Sequence, residues 1–254
     1  MGSMTEANFL RLRIQSDGLA NAANQVLQSA SGDSPARAFH LVNSFTIGLF
    51  ATKVEENPLV SDVAVNFPDG FWLSRYLKGK APAKVFPQIR GPQLFYDVLS
   101  SPGASEITQL LLGSTEETLS KLSERLLTDS KFSIGREKIF TISPPFVALS
   151  DDYMDWLAKT ILEKDIRLIW VGMGTPKQDY LAELLTARTE VTTVAVGAAF
   201  DFLAGTKTEA PKMMTRLGIE WLYRLATEPR RLWKRYLIGN LVFIGLVIRD
   251  MSRK

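Results

Sequence analysis

Ile166-Arg167-Leu168-Ile169-Trp170-Val171-Gly172-Met173-Gly174-Thr175-Pro176-Lys177-Gln178-Asp179 joins three local signals in one stretch. The run 166–171 is apolar but for one arginine, as a strand buried on both faces requires. Gly172-Met173-Gly174 breaks that run. Pro176 then opens a helix that the pattern carries to Ala187, because proline's fixed φ suits a first helical turn. Strand, glycine turn and helix form the repeating unit of a parallel sheet covered on both sides.

The unit recurs in both directions. Residues 191–196 read as a strand ending at Gly197. Residues 10–14, 38–42, 60–67, 107–112 and 138–142 read as strands. Helices are expected over 17–31, roughly 45–53, and after Pro68-Asp69-Gly70, where Phe71, Trp72 and Tyr76 gather. Two more follow, over 115–127 with Ser114 or Thr115 as cap, and from Ser150-Asp151-Asp152 to Glu163. The expected fold is α/β: a Rossmann-like, mostly parallel sheet with helices on both faces over 8–205. From Pro211 the chain reads as helices only, so 206–254 forms a C-terminal helical appendage. Its last helix starts at Glu228-Pro229 and reaches about Asp250, basic and aromatic in its first half and apolar in its second.

Composition narrows the chemistry. The chain has 254 residues and a hydrophobic fraction of 46%, enough for a large buried core. It has no cysteine, which rules out thiolate metal sites and a cysteine nucleophile. It has one histidine, His40, which rules out a two-histidine metal site within one chain. His40 lies in the apolar run Phe39-His40-Leu41-Val42 and reads as buried strand, not as the base of a triad. No nucleic-acid partner is expected at a net charge of only +3. That charge is unevenly spread. Arg224, Arg230, Arg231, Lys234 and Arg235 face a single Glu228, a local cluster suited to phosphates or an anionic surface. There is no basic-then-apolar leader, and no apolar run reaches the roughly 18–20 residues that span a bilayer. With Trp221, Tyr223, Trp233 and Tyr236 beside the arginines, the tail reads as an interfacial helix on an anionic membrane, or else as a helix packed on the domain or on a second subunit.

Ligands of an open parallel sheet bind at the carboxyl ends of its strands. Four turns fall there: Pro68-Asp69-Gly70, Gly113-Ser114, the loop 172–178, and Gly197-Ala198-Ala199-Phe200-Asp201. Glycine lets backbone N–H groups approach phosphate, the helix dipole favours negative charge, and Lys177 adds a cation. Together these point to a nucleotide or nucleotide-sugar, although any single turn serves equally well to reverse the chain. Gly-x-Gly-x-Pro is neither the dinucleotide fingerprint nor a Walker loop. Asp69 is the carboxylate that stands out, as a cleft-facing side chain or as the cap of its own turn. Asp151 and Asp152 read as a helix start, not as a metal-binding pair.

Longer blocks carry a family resemblance. Val171-Gly172-Met173-Gly174-Thr175-Pro176-Lys177-Gln178-Asp179, the block 196–205, and Gly218-Ile219-Glu220-Trp221 running on through Glu228-Pro229-Arg230-Arg231 to Tyr236 resemble three signatures of the WecG/TagA/CpsF glycosyltransferases, in the same order. Pro68-Asp69-Gly70 and Arg90-Gly91-Pro92 match two further stations. The region 42–46, with Asn43 and Thr46, is similar to the exopolysaccharide-type members. The resemblance implies an inverting, metal-independent hexosyl or N-acetylhexosaminyl transferase that uses no cofactor. Its donor would be a UDP-sugar and its acceptor a polyprenyl-diphosphate-linked glycan, as in the N-acetylmannosamine transferase of wall teichoic acid synthesis. The enzyme would work in the cytoplasm, peripheral on the inner face of the plasma membrane, with self-association left open.

The resemblance makes Asp69 the general base. It assigns substrate contacts to Asn43, Thr46, Gly70, Arg90, Gly91, Gly113, Gly172, Gly174, Pro176, Lys177, Gln178, Asp179, Gly197, Phe200, Asp201, Arg224, Arg231 and Arg235, with no metal ligand. Two positions depart from the family pattern: Gln93 replaces an acid, and Glu209 replaces an arginine. They leave the donor sugar open. Two other classes remain: a non-catalytic nucleotide-binding scaffold of a polysaccharide assembly complex, and a dehydrogenase-like enzyme.

Overall fold

The computed structural model describes residues 6–16, 18–51, 57–80, 86–145 and 150–252, without the side chains of Lys212, Arg231 and Arg235. In chain order the elements are β1 (Glu6–Phe9), β2 (Leu12–Gln15), α1 (Leu19–Ser31), β3 (Ala38–Val42), α2 (Ser44–Phe50), β4 (Ala64–Pro68), α3 (Phe71–Lys80), α4 (Gly91–Leu99), β5 (Gln109–Gly113) and α5 (Glu116–Thr128). There follow β6 (Ile139–Ile142), α6 (Asp151–Glu163), β7 (Leu168–Gly172), α7 (Lys177–Thr189), β8 (Thr192–Ala195), α8 (Ala199–Leu203), α9 (Lys212–Arg216), α10 (Glu220–Thr227) and α11 (Pro229–Met251).

The strands form one sheet in the order β1-β2-β4-β3-β8-β7-β5-β6. All neighbours are parallel except β1 and β2. This is the expected Rossmann-like α/β sheet. One detail differs: the single strand expected over 10–14 is a hairpin, turning at Leu10 with φ of 55°. The strand expected from residue 60 begins later, after a short 3-10 turn at Pro58–Val60. The expected first residue of the first helix, Asp17, and the expected last residue of the second, Lys53, lie outside the described residues.

Side chains of the central strands alternate between two apolar layers. Leu111, Leu168, Trp170 and Val194 face one side; Leu110, Leu112, Ile169 and Val171 face the other. Each large side chain so buried contributes about 1.5–3 kcal/mol. Trp170 is fully buried, and its indole N–H donates to Gln109 Oε1 at 2.7 Å, so burial leaves that donor satisfied. A third cluster joins Val42, Ile47 and Leu73 to Phe243 of α11. The C-terminal helices therefore pack on the sheet domain. Gly239 and Gly48 let α11 lie close against α2, and Ser44 donates to Asn240 at 2.9 Å. At the far end Asp250 accepts from Lys80 at 2.6 Å and from Tyr76.

β4 lies on one side of β3, whereas the next strand, β5, lies beyond β8 and β7. The connections leave the sheet in opposite directions, which opens a crevice at the carboxyl ends of these strands.

Candidate active site

The crevice is a cleft of about 950 Å³. It is bounded by the loops after β3, β4, β5, β7 and β8, and by α10 and the start of α11. Of the expected site residues, Asn43, Asp69, Gly91, Gly172, Gly174, Lys177, Gln178, Gly197, Asp201 and Arg224 line it.

Asp69 is held from both sides. Its N–H donates to Val42 O at 2.8 Å, continuing the β3–β4 ladder, and its carbonyl accepts from Gln88 Nε2 at 2.7 Å. Its carboxylate receives a hydrogen bond from the Asn43 side chain. That amide has one workable orientation. Asn43 Oδ1 caps α2, accepting from Phe45 N, Thr46 N and Thr46 Oγ1 at 3.1–3.2 Å, which leaves the amide NH₂ for Asp69. Burial pushes the Asp69 carboxyl up, and the negative charge of Glu220 adds to that push. Arg224, Arg90 and the Asn43 bond pull it down, and the balance is about 7. The side chain nonetheless keeps half-buried access to the cleft.

Other expected residues shape the cleft from behind. Thr46 is buried and ties off Asn43. Gly70 lies against Asn43, where a Cβ would come within 3.3 Å of the Asn43 Cβ. Gly113, at φ 128°, crosses Gly172 so closely that a Cβ would lie 2.7 Å from its carbonyl. A Cβ on Gly172 would lie 2.7 Å from the Phe200 ring. Phe200 is thus a core residue seated on the glycine turn. Pro176 is the N-cap residue of α7. Asp179 points into the core, where Oδ1 meets His40 Nδ1 at 3.2 Å with both residues essentially unexposed. Sequence spacing fixes Asp179 in the first turn of α7 without telling which face of that turn it takes. His40 is the buried strand residue expected. The side chains of Arg231 and Arg235 lie outside the described residues.

The two ends of the cleft differ in charge. α5 begins with Glu116 and Glu117, and its cap Thr115 already accepts from Thr118 N. α7 begins with Lys177 and has no side-chain cap, so its dipole end faces the cleft beside a cation. Gln178 Oε1 accepts from Gly174 N at 2.9 Å and holds that loop. Ser150 accepts from Tyr153 N, so Asp151 and Asp152 belong to a capped helix start, as expected.

Across the mouth runs a chain of ion pairs. Arg90 meets Glu209 and Glu220, both at 3.2 Å, and Glu220 also accepts from Arg224 at 2.7 Å. Lys207 bridges Asp201 at 3.3 Å and Glu228 at 3.4 Å. Glu209, one of the family departures, is therefore a partner of Arg90. Gln93, the other, is exposed and donates to Asp97 at 2.7 Å, away from the cleft. Ser114, from one of the four expected ligand turns, lines the cleft, and so do residues given no substrate contact in the sequence reading: Thr115, Lys207, Tyr223, Glu228 and Tyr236. Tyr223 and Tyr236 read in sequence as part of a membrane belt, yet they turn inward. Of the four belt aromatics, Trp233 is the one well exposed, at 45%.

The sheet order and the cleft at its carboxyl edge define a Rossmann-like α/β protein whose main cleft lies where the strand order reverses. Its family follows from the whole chain: the model of the glycosyl transferase WecG/TagA/CpsF family matches residues 7–254, and the protein belongs to that family of glycosyltransferases.

Proposed function

We propose that the protein transfers a sugar, with inversion, from a UDP-sugar to a polyprenyl-diphosphate-linked saccharide during synthesis of an exopolysaccharide or other cell-surface polymer. The observation that carries this reading is Asp69: a carboxylate near neutral pKa, fixed at a strand end and open to the cleft. Asp69 takes the proton of the acceptor hydroxyl as that oxygen bonds to the anomeric carbon. The bond from that carbon to the donor's diphosphate breaks, and UDP leaves with the electron pair. The uncapped start of α7 and Lys177 receive the diphosphate, and Arg224 offsets the charge that grows on it. These cations do the work that a metal ion does elsewhere, so transfer proceeds without one.

The enzyme works on the inner face of the plasma membrane, as a peripheral protein. α11 supports this. Trp233, Leu237, Leu241, Ile244, Ile248 and Met251 recur every three or four residues along one face and are 45–70% exposed, while Leu232 and Phe243 on the opposite face are buried. Arg230 and Lys234 flank the stripe at its start, suited to anionic headgroups. No helix among the described residues is long and apolar enough to cross a membrane.

Titration calorimetry with a panel of UDP-sugars and NAD, with and without EDTA, tests the donor class. UDP and one UDP-sugar should bind in either buffer. Preference for NAD, or UDP binding that vanishes with EDTA, would contradict the reading.

A further inference from the structure

Glu220 stands at the first turn of α10, outside the sheet domain, yet its carboxylate reaches two cations that flank Asp69. One oxygen lies 3.2 Å from Arg90, which precedes α4; the other lies 2.7 Å from Arg224, one turn further along α10. Its side chain is 17% exposed, so water screens these charges weakly. Arg224 also lies over the Phe202 ring, 5.1 Å from its centroid, which holds the guanidinium in place.

We propose that Glu220 is a positioning residue that couples docking of the C-terminal helices to the chemistry: it bridges Arg90 to Arg224 across the mouth and keeps Asp69 a strong enough base while the helices are docked. The inference rests on the reading of Asp69 as the base. Without Glu220, burial would still push the Asp69 carboxyl up, but Arg90 ahead of α4, Arg224 of α10 and the amide of Asn43, the cap of α2, would all favour the ionised form. A carboxylate so stabilised accepts a proton poorly. Glu220 offsets the two arginines and restores basicity. Glu220 and Arg224 both sit on α10, so withdrawal of these helices removes the offset together with one of the two cations, and it leaves Asp69 less buried beside Arg90 and Asn43, a weaker base.

The test is a ¹³C carboxyl titration of Asp69, assigned with Asp69→Asn, in the full chain and in Glu220→Gln. The substitution keeps size and shape and removes the charge. The Asp69 midpoint should fall by on the order of one pH unit in Glu220→Gln, and Glu220→Asp should recover part of the shift. Equal midpoints in wild type and Glu220→Gln would overturn the proposal. In turnover, the acid limb of kcat/KM should move to lower pH by the same margin, and a limb that stays put would overturn the coupling to chemistry. The carboxyl titration needs no turnover. A wild-type protein that transfers no sugar would therefore sink the transferase reading and leave the titration to decide the role of Glu220.

Discussion

Asp69 keeps its proton more tightly in the folded chain than it would unfolded, where an aspartate titrates near 3.8. Between that value and about 7 the native state binds more protons than the unfolded one, so this group's contribution to stability falls as pH rises through that window. Asp69→Asn removes the penalty. The variant should therefore melt higher than wild type at pH 8, by on the order of 1 kcal/mol once the open cleft is allowed for, and the two should converge near pH 4. Equal melting curves at pH 8 would contradict a raised pKa. Asp69 was legible in the sequence because a proline-glycine turn at a strand end presents its side chain. Asn43 was legible as a position but not as a device. Its amide is aimed by the cap it gives α2, and that depends on where the helix starts in space. Asp179 shows the limit most clearly: its pairing with His40 joins residues 139 apart in sequence, which no local pattern reports.

Most strands and long helices followed from apolar runs and capping residues, because each is decided by its own side chains. α4 did not. It opens with Gly91-Pro92, named in the sequence only for a family resemblance, though proline suits the start of a helix and Gly91 is needed there. A Cβ on Gly91 would lie 2.9 Å from Val196 O. The glycines after β5 and β7 likewise read as phosphate loops, and part of their role is packing. Gly172→Ala should destabilise the fold by about 1–3 kcal/mol through overpacking against Phe200. Adding Phe200→Leu should return part of the loss in urea denaturation, because the two sites touch. A freely tolerated Gly172→Ala would show that α8 is not seated on this turn. Tyr223 and Tyr236 were misread at this scale, since helical position alone does not say which side of a tail helix meets the domain.

At the scale of the molecule, the C-terminal helices face two ways. Their inner side borders the cleft through Glu220 and Glu228, joined there by Glu209 of the loop before α9, and their outer side bears the apolar stripe of α11. The contrast in the last helix was visible in its composition; the inward half of it needed the packing of α11 on α2. Replacing Leu237, Leu241 and Ile248 together by Asn should lower co-sedimentation with anionic vesicles at least about tenfold. Melting should barely change, because all three are at least half exposed. Undiminished co-sedimentation would contradict membrane contact by this face. The chemistry assigned to the cleft is tested most directly by single-turnover release of UDP, from a UDP-sugar that the wild-type protein binds, in the presence of a polyprenyl-diphosphate-linked acceptor. Asp69→Asn should bind UDP as wild type does and release it at least about 10²-fold more slowly; release at the wild-type rate would contradict the assignment of Asp69 as the base.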